Sequence, residues 1–189
     1  EYAPFTDIDV VHEVWVPTSQ SLCGRFTFTN QGAEPASFRF DWVAQLNPTD
    51  GERMGPLALQ GVSVLAGQSA ALRPVVFMTS GATPRSSPYP ALSQELELAP
   101  GAANSFIWCQ AAFTDVEASF NLARQLAARP FDADIARLEL LNSEQVEVFT
   151  GYPDWDAALA LSQNQAYSLF IAPAAGLPHP SYVLTRQPD

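Results

Sequence analysis

The hydrophobic pattern changes period once along this chain, at Thr114. Upstream, apolar residues alternate with polar ones in short runs broken by turn residues, the pattern of strands with one buried face. Phe38, Phe40, Trp42, Ala44 and Leu46 form the cleanest stripe, with Arg39, Asp41 and Gln45 on the opposite face. Leu22 to Thr29 alternates likewise, puts Phe26 and Phe28 together, and closes at the turn cluster Asn30-Gln31-Gly32. Ile8 to Val16 is rich in β-branched residues and stops at Pro17. The spacing predicts further strands over Leu57 to Leu65, Ala71 to Met78, Leu92 to Leu98 and Ser105 to Phe113. Pro74 predicts an edge strand or a bulge for the second of these, because proline cannot donate to a ladder. Gly81 to Pro90 (GATPRSSPYP) predicts an exposed loop. Strands this short and this closely spaced point to an antiparallel sandwich and not to βαβ units. One core between two sheets is expected, holding Phe26, Phe28, Phe38, Phe40, Trp42, Phe106 and Trp108.

Downstream the apolar spacing becomes helical. Thr114 and Glu117 match a capping box, Val116, Phe120, Ala123 and Ala127 follow at helical intervals, and Pro130 stops the run. Asp132 and Asp134 open a second helix with Ile135 and Leu138 inward. Val146, Val148 and Phe149 predict a short extended piece, and Asp154 caps a third helix reaching to about Ile171. After Asp156 this third helix carries no charge through Ile171, and Trp155, Leu159, Leu161 and Phe170 help to spread its apolar surface over more than half the circumference. A lone surface helix shows a single apolar stripe, so partners on more than one side are expected. Without them, the 154–171 helix is expected to drive self-association. After Pro173 the chain reads as irregular. The expected fold class is mainly β with an α tail: an antiparallel β-sandwich followed by two or three helices. The sandwich is placed at 1–114, a helical linker at 115–149, and the start of a helical, barrel-like domain at 150–189, with its remainder expected downstream.

Charge narrows the partners. All nine basic residues are Arg, against ten Asp and ten Glu, and the net charge is −11. Five Arg face ten acids up to Thr114 and four face ten acids after it, so the negative charge is spread evenly. Binding nucleic acid or an anionic membrane requires clustered cations, and no such cluster occurs, so neither is an expected partner. No apolar run reaches the roughly 20 residues of a membrane-spanning helix. This balance suits neutral ligands, a neutral oligosaccharide among them, or plain solubility. Cys23 and Cys109 each sit in a strand-like run and read as two buried free thiols, a disulfide being the alternative. Neither His lies near a Cys with metal-ligand spacing, so no metal and no cofactor is expected.

The titratable groups assemble no reaction centre. No Ser is set in a Gly-X-Ser-X-Gly elbow, and Gly61-Val62-Ser63-Val64-Leu65 lacks the second glycine. Gly-X-Gly-X-X-Gly and Walker patterns are also missing. Glycosidases need two carboxylates across a sugar ring. Asp7/Asp9 and Glu95/Glu97 share a strand face instead, while Asp132/Asp134 and Asp154/Asp156 sit in first helical turns, where the helix dipole accounts for them. His12 reads as a polar residue on a half-wet sheet. Trp15, Trp42 and Trp108 lie in strands and read as core, Trp15 with the least support. No residue of this chain is therefore assigned a catalytic role.

The order of parts resembles a known group. A sandwich, a helical crossing, the segment Thr150-Gly151-Tyr152-Pro153-Asp154 and the helix Asp154-Trp155-Asp156-Ala157-Ala158-Leu159 are similar to glucoamylase-like and debranching-enzyme-like glycoside hydrolases and glycoside phosphorylases. These have a barrel of six helical hairpins, preceded by an N-terminal β-sandwich and linker. The resemblance implies that the helix from Asp154 is the first barrel helix, and that Leu177-Pro178-His179-Pro180 leads toward the sugar-binding face. His179, Tyr182 and Trp155 become the glycan-proximal candidates. The group's catalytic carboxylates lie in barrel loops beyond this sequence, so none carries over. The implied role is a non-catalytic N-terminal supporting domain whose partner is the downstream helical domain. The alternative is a self-standing β-sandwich that binds or scaffolds.

Overall fold

Alternation in the first half of the chain becomes ten strands: β1 (Tyr2–Phe5), β2 (Ile8–Thr18), β3 (Ser21–Asn30), β4 (Ala36–Val43), β5 (Gly55–Leu59), β6 (Val62–Ala66), β7 (Arg73–Met78), β8 (Thr83–Arg85), β9 (Ala91–Leu98) and β10 (Ala103–Phe113). They are followed by α1 (Val116–Ala127), α2 (Phe131–Ser143), α3 (Pro153–Ser168), β11 (Phe170–Ile171) and β12 (Ser181–Tyr182). The computed structural model describes residues 2–48, 50–86, 88–144, 146–171, 173 and 177–182. Much of the irregular tail expected after Pro173, at 174–176 and 183–189, lies outside the described residues. The chain divides into two compact units, Glu1–Arg129 and Pro130–Asp189.

In the first unit, seven strands form an antiparallel sheet in the order β1-β2-β3-β10-β7-β6-β5, and β4-β9-β8 form a second sheet. Residues at alternate positions share a face, so Phe26 and Phe28 of β3 and Phe106 and Trp108 of β10 project together toward the small sheet. There they meet Leu92, Leu96 and Leu98 of β9 in one buried cluster. Phe38, Phe40 and Trp42 of β4 are partly buried against it. Phe28 and Phe106 stack at 5.6 Å, and Phe40 meets Phe28 and Phe106 at 5.1 and 5.4 Å. This is the expected two-sheet core. The wet face of β4 is as expected too: Arg39 Nε lies 3.2 Å from Asp41 Oδ1, and Ser93 donates a short hydrogen bond to Asp41.

The outer face of the large sheet is covered by α1. Ser119, Phe120, Ala123, Leu126 and Ala127 are its buried residues, spaced to face one side. Phe120 meets Phe77 of β7 edge-on at 6.0 Å. The helix begins differently from the expectation. Asp115, not Thr114, is the N-cap, and its carboxylate accepts from Ala118 N at 2.7 Å. The Ser119 hydroxyl ties the same turn to the sheet, accepting from Phe113 N at 2.8 Å and donating to Asp115 O at 2.9 Å.

Four other expectations are corrected. The run from Leu57 to Leu65 is a hairpin and not one strand. It turns at Gln60 and Gly61, whose φ values of 50° and 77° are both positive, as a tight two-residue hairpin loop requires. Pro74 lies in an interior strand, β7 being flanked by β10 and β6. Its place is tolerated because the β6 ladder has run out there: Ala66 pairs with Val75, and Gly67 N then donates to the Pro74 carbonyl at 3.1 Å. The GATPRSSPYP stretch is not all loop, since Thr83–Arg85 pairs with β9. Cys23 and Cys109 form a disulfide and are not free thiols. They stand directly opposite each other in the β3–β10 pairing although 86 residues apart, so sheet register brings them together where local sequence gives no sign of it.

In the second unit, α3 starts at Pro153 and ends at Ser168, short of the expected Ile171. Phe170 and Ile171 instead pair with Tyr182 and Ser181. Asp154 lies inside the first turn and not ahead of it. Thr150 and Asp156 hold that turn, the Asp156 carboxylate accepting from Thr150 N and Thr150 Oγ1, both at 2.7 Å. These two bonds also draw the Asp156 pKa below its ordinary value. The expected extended piece at Val146–Phe149 has no strand partner among the described residues, and Gln163 Nε2 donates to the Val146 carbonyl at 3.0 Å.

Candidate functional site

One end of the sandwich is an open cavity of about 410 Å³. It forms because β4 gives way to coil after Val43, and the segment through Leu46 crosses above the inner row of the large sheet. Trp42 and Trp108 line it from opposite sheets, with ring centroids 4.7 Å apart. His12 lies beside them and is half-buried. Gln45 and Gln110 contribute the amides, and both are exposed. None of the described residues lining the cavity is Asp, Glu or Arg.

His12 is held by three neighbours. Its ring stacks on Phe26 at 4.0 Å and 12°, and Trp42 meets it edge-on at 5.6 Å. The Trp108 indole donates Nε1–H to His12 Nε2 at 3.0 Å. To accept there, the imidazole must carry its proton on Nδ1. Burial disfavours the imidazolium and lowers the His12 pKa below 6.5, so the ring is neutral at physiological pH.

The contact depends on a glycine. Trp108 pairs with Gly24 of β3, and Gly24 pairs in turn with Val14 of β2. The indole crosses β3 above Gly24 to reach the histidine two strands away. A Cβ at position 24 would stand 2.5 Å from Trp108 Nε1 and 2.8 Å from the Glu13 carbonyl. His12, expected as a polar residue on a half-wet sheet, is instead turned to the inner side, its ring half-buried against Phe26 and Trp108.

The sequence-derived candidates lie elsewhere, in the second unit. Trp155 stands in the first turn of α3 and is 67% exposed. Tyr182, also exposed, packs edge-on to Phe170 at 5.2 Å just beyond the other end of α3. A 16-residue helix spans about 24 Å, so Trp155 and Tyr182 are not gathered into one site. His179 is exposed, and its carbonyl accepts from Ser181 Oγ at 3.0 Å. Of the carboxylate pairs, Glu95 and Glu97 are exposed on β9, and Asp156 is engaged by Thr150 in the first turn of α3. Trp15, the least supported core assignment, is buried. Among the described residues no three His, Cys, Asp or Glu side chains are grouped to hold a metal, and no helix is long and apolar enough to cross a membrane.

No protein-family model and no curated protein matches the chain. Two solved structures are similar to it over part of their length. One is a polysaccharide lyase, 17% identical, with a TM-score of 0.47 over 63% of this chain and 23% of the lyase. The other is named a kojibiose phosphorylase from the human microbiome, 10% identical, with a TM-score of 0.44 over 86% of this chain and 22% of that protein. The chain thus spans under a quarter of either structure.

Proposed function

We propose that this chain is a non-catalytic supporting domain of a larger, glycoside hydrolase-like protein, and that a helical domain of the same parent packs on its C-terminal helices. The observation that carries this reading is the apolar surface of the second unit. Leu140 and Leu141 of α2, Phe149, and Trp155 and Leu161 of α3 are all more than half exposed, Phe149 reaching 79%. Helices of this composition are stable when other helices cover them, and an uncovered apolar surface marks an interaction site. The Thr150–Asp154 segment and the helix after it add the resemblance to the start of a six-hairpin barrel. In such a parent, Trp155 at the start of α3 and His179 and Tyr182 beyond its other end would approach the glycan at separate points.

The titratable groups agree with a supporting role. Among the described residues, the cavity beside Trp42 and Trp108 is lined by one ionisable side chain, His12, and its acceptor nitrogen is occupied by an indole. General acid and base work on a glycoside needs two carboxyl groups flanking the bond. The purified 189-residue protein is expected to hydrolyse neither maltooligosaccharides nor aryl glycosides. Turnover that a single Asp or Glu substitution abolishes would overturn the proposal. A coding sequence that encodes no helical hairpins after residue 189 would favour the self-standing scaffold instead.

A further inference from the structure

We infer that the open cavity between Trp42, Trp108 and His12 is itself a binding site for an uncharged pyranose, separate from any glycan site near Trp155 and Tyr182. Its volume of about 410 Å³ falls within the range of small-molecule sites. Its chemistry is two-sided. One wall is aromatic, and Trp42 supplies the accessible part of it because Trp108 is buried. The rim carries two exposed amides, Gln45 and Gln110, each able to donate and accept hydrogen bonds. A pyranose has the matching two-sided surface: a C–H face that packs on an aromatic ring, and a hydroxyl edge that needs paired donors and acceptors.

The cavity is also neutral. Its described lining holds no Asp, Glu or Arg, and His12 stays uncharged because burial opposes its protonation. An anionic sugar or a nucleotide phosphate would be desolvated there with no counter-charge, which is costly. An amine would likewise find no carboxylate. The wall is preorganised: Trp108 is fixed by its bond to His12, the His12 ring is stacked on Phe26, and Gly24 leaves the space that this arrangement needs. A site that is rigid before binding loses less entropy when a ligand arrives.

The test is intrinsic tryptophan fluorescence of the full chain carrying Trp155→Phe, which removes the exposed indole of the second unit. Maltose and cellobiose are titrated to high millimolar concentration, with a uronic-acid disaccharide and phenol as comparators. The expected result is a saturable change with a neutral disaccharide and a weaker one or none with the uronate. The double variant Gln45→Ala/Gln110→Ala should weaken binding by about tenfold at unchanged Tm, and Trp42→Leu should abolish it. Four outcomes would overturn the inference: no response to any sugar, equal response to the uronate, response to phenol alone, or a response seen only when Trp155 is intact. Each leaves the supporting role standing, since that role is judged by turnover and by whether helical hairpins are encoded after residue 189.

Discussion

The two units of this chain are about equally rich in apolar residues and use them in opposite ways. In Glu1–Arg129 the aromatic residues converge: Phe26, Phe28, Phe106 and Trp108 are buried between two sheets, and Phe120 of α1 is buried against the other face of the large sheet. In Pro130–Asp189 Phe149, Trp155 and Leu161 remain in the open. A sheet gives each interior strand two neighbours and every strand a fixed inward face, so alternation turns half the residues toward the core at once. Two short helices have too few facing surfaces to do the same. The first unit therefore buries most of its large apolar side chains by itself, whereas the second leaves several of its own exposed.

Substitutions sharpen this contrast, and the largest effect is expected at the centre of the first core. Phe26→Ala should destabilise the sandwich by about 3–5 kcal/mol, read as a lower midpoint in urea by circular dichroism. A loss below about 1 kcal/mol would mean that the ring is not packed as described. The disulfide comes next. Cys23→Ala/Cys109→Ala opens a link between residues 86 positions apart and should cost about 2–5 kcal/mol. An unchanged midpoint after reduction of the native protein would show that the pair is not bonded.

A smaller effect belongs to His12. The unfolded chain takes up the imidazole proton near pH 6.5, whereas the folded chain does so at a lower pH because burial opposes the charge. Stability should be unaffected by this group above that pH and should fall as the pH drops through the interval below it. The proton also forces apart a contact in which Nε2 accepts from Trp108. His12→Gln should remove this part of the pH profile, as shown by subtracting the two stability curves between pH 7 and pH 5. Identical curves would refute the assignment.

The smallest effect on stability, within about 0.5 kcal/mol, is expected from Leu161→Glu and Trp155→Glu, because both side chains are exposed. Their effect should appear in association. The isolated chain is expected to form dimers or larger species through α3 as concentration rises, and the two substitutions should return it to a monomer by light scattering. A wild-type chain that stays monomeric throughout would erase the contrast between the units.

Much of the sandwich was legible in the amino-acid order. The stripe Phe38-Phe40-Trp42 named its own inner face, and the change of period at Thr114 marked where strands stop. The helix ends were less legible. Asp115 took the cap from Thr114, and Phe170 left α3 for a strand pairing with Tyr182. Both differences lie within a few residues of a boundary, where side-chain hydrogen bonds and pairing partners decide between nearly equal local choices. Gln60-Gly61 was missed because glutamine gives no turn signal, although its φ is positive.

By itself the sequence determined which sandwich residues turn inward and that the chain is a sandwich followed by helices. These follow from periods of two and 3.6 residues, which are local properties of the backbone. Only the tertiary structure decided that Cys23 bonds to Cys109, that Trp108 reaches His12 across Gly24, and that a cavity opens beside them. Those partners stand 86 and 96 residues apart. They meet because β10 pairs beside β3 in the large sheet, and strand order depends on how all the strands share one core.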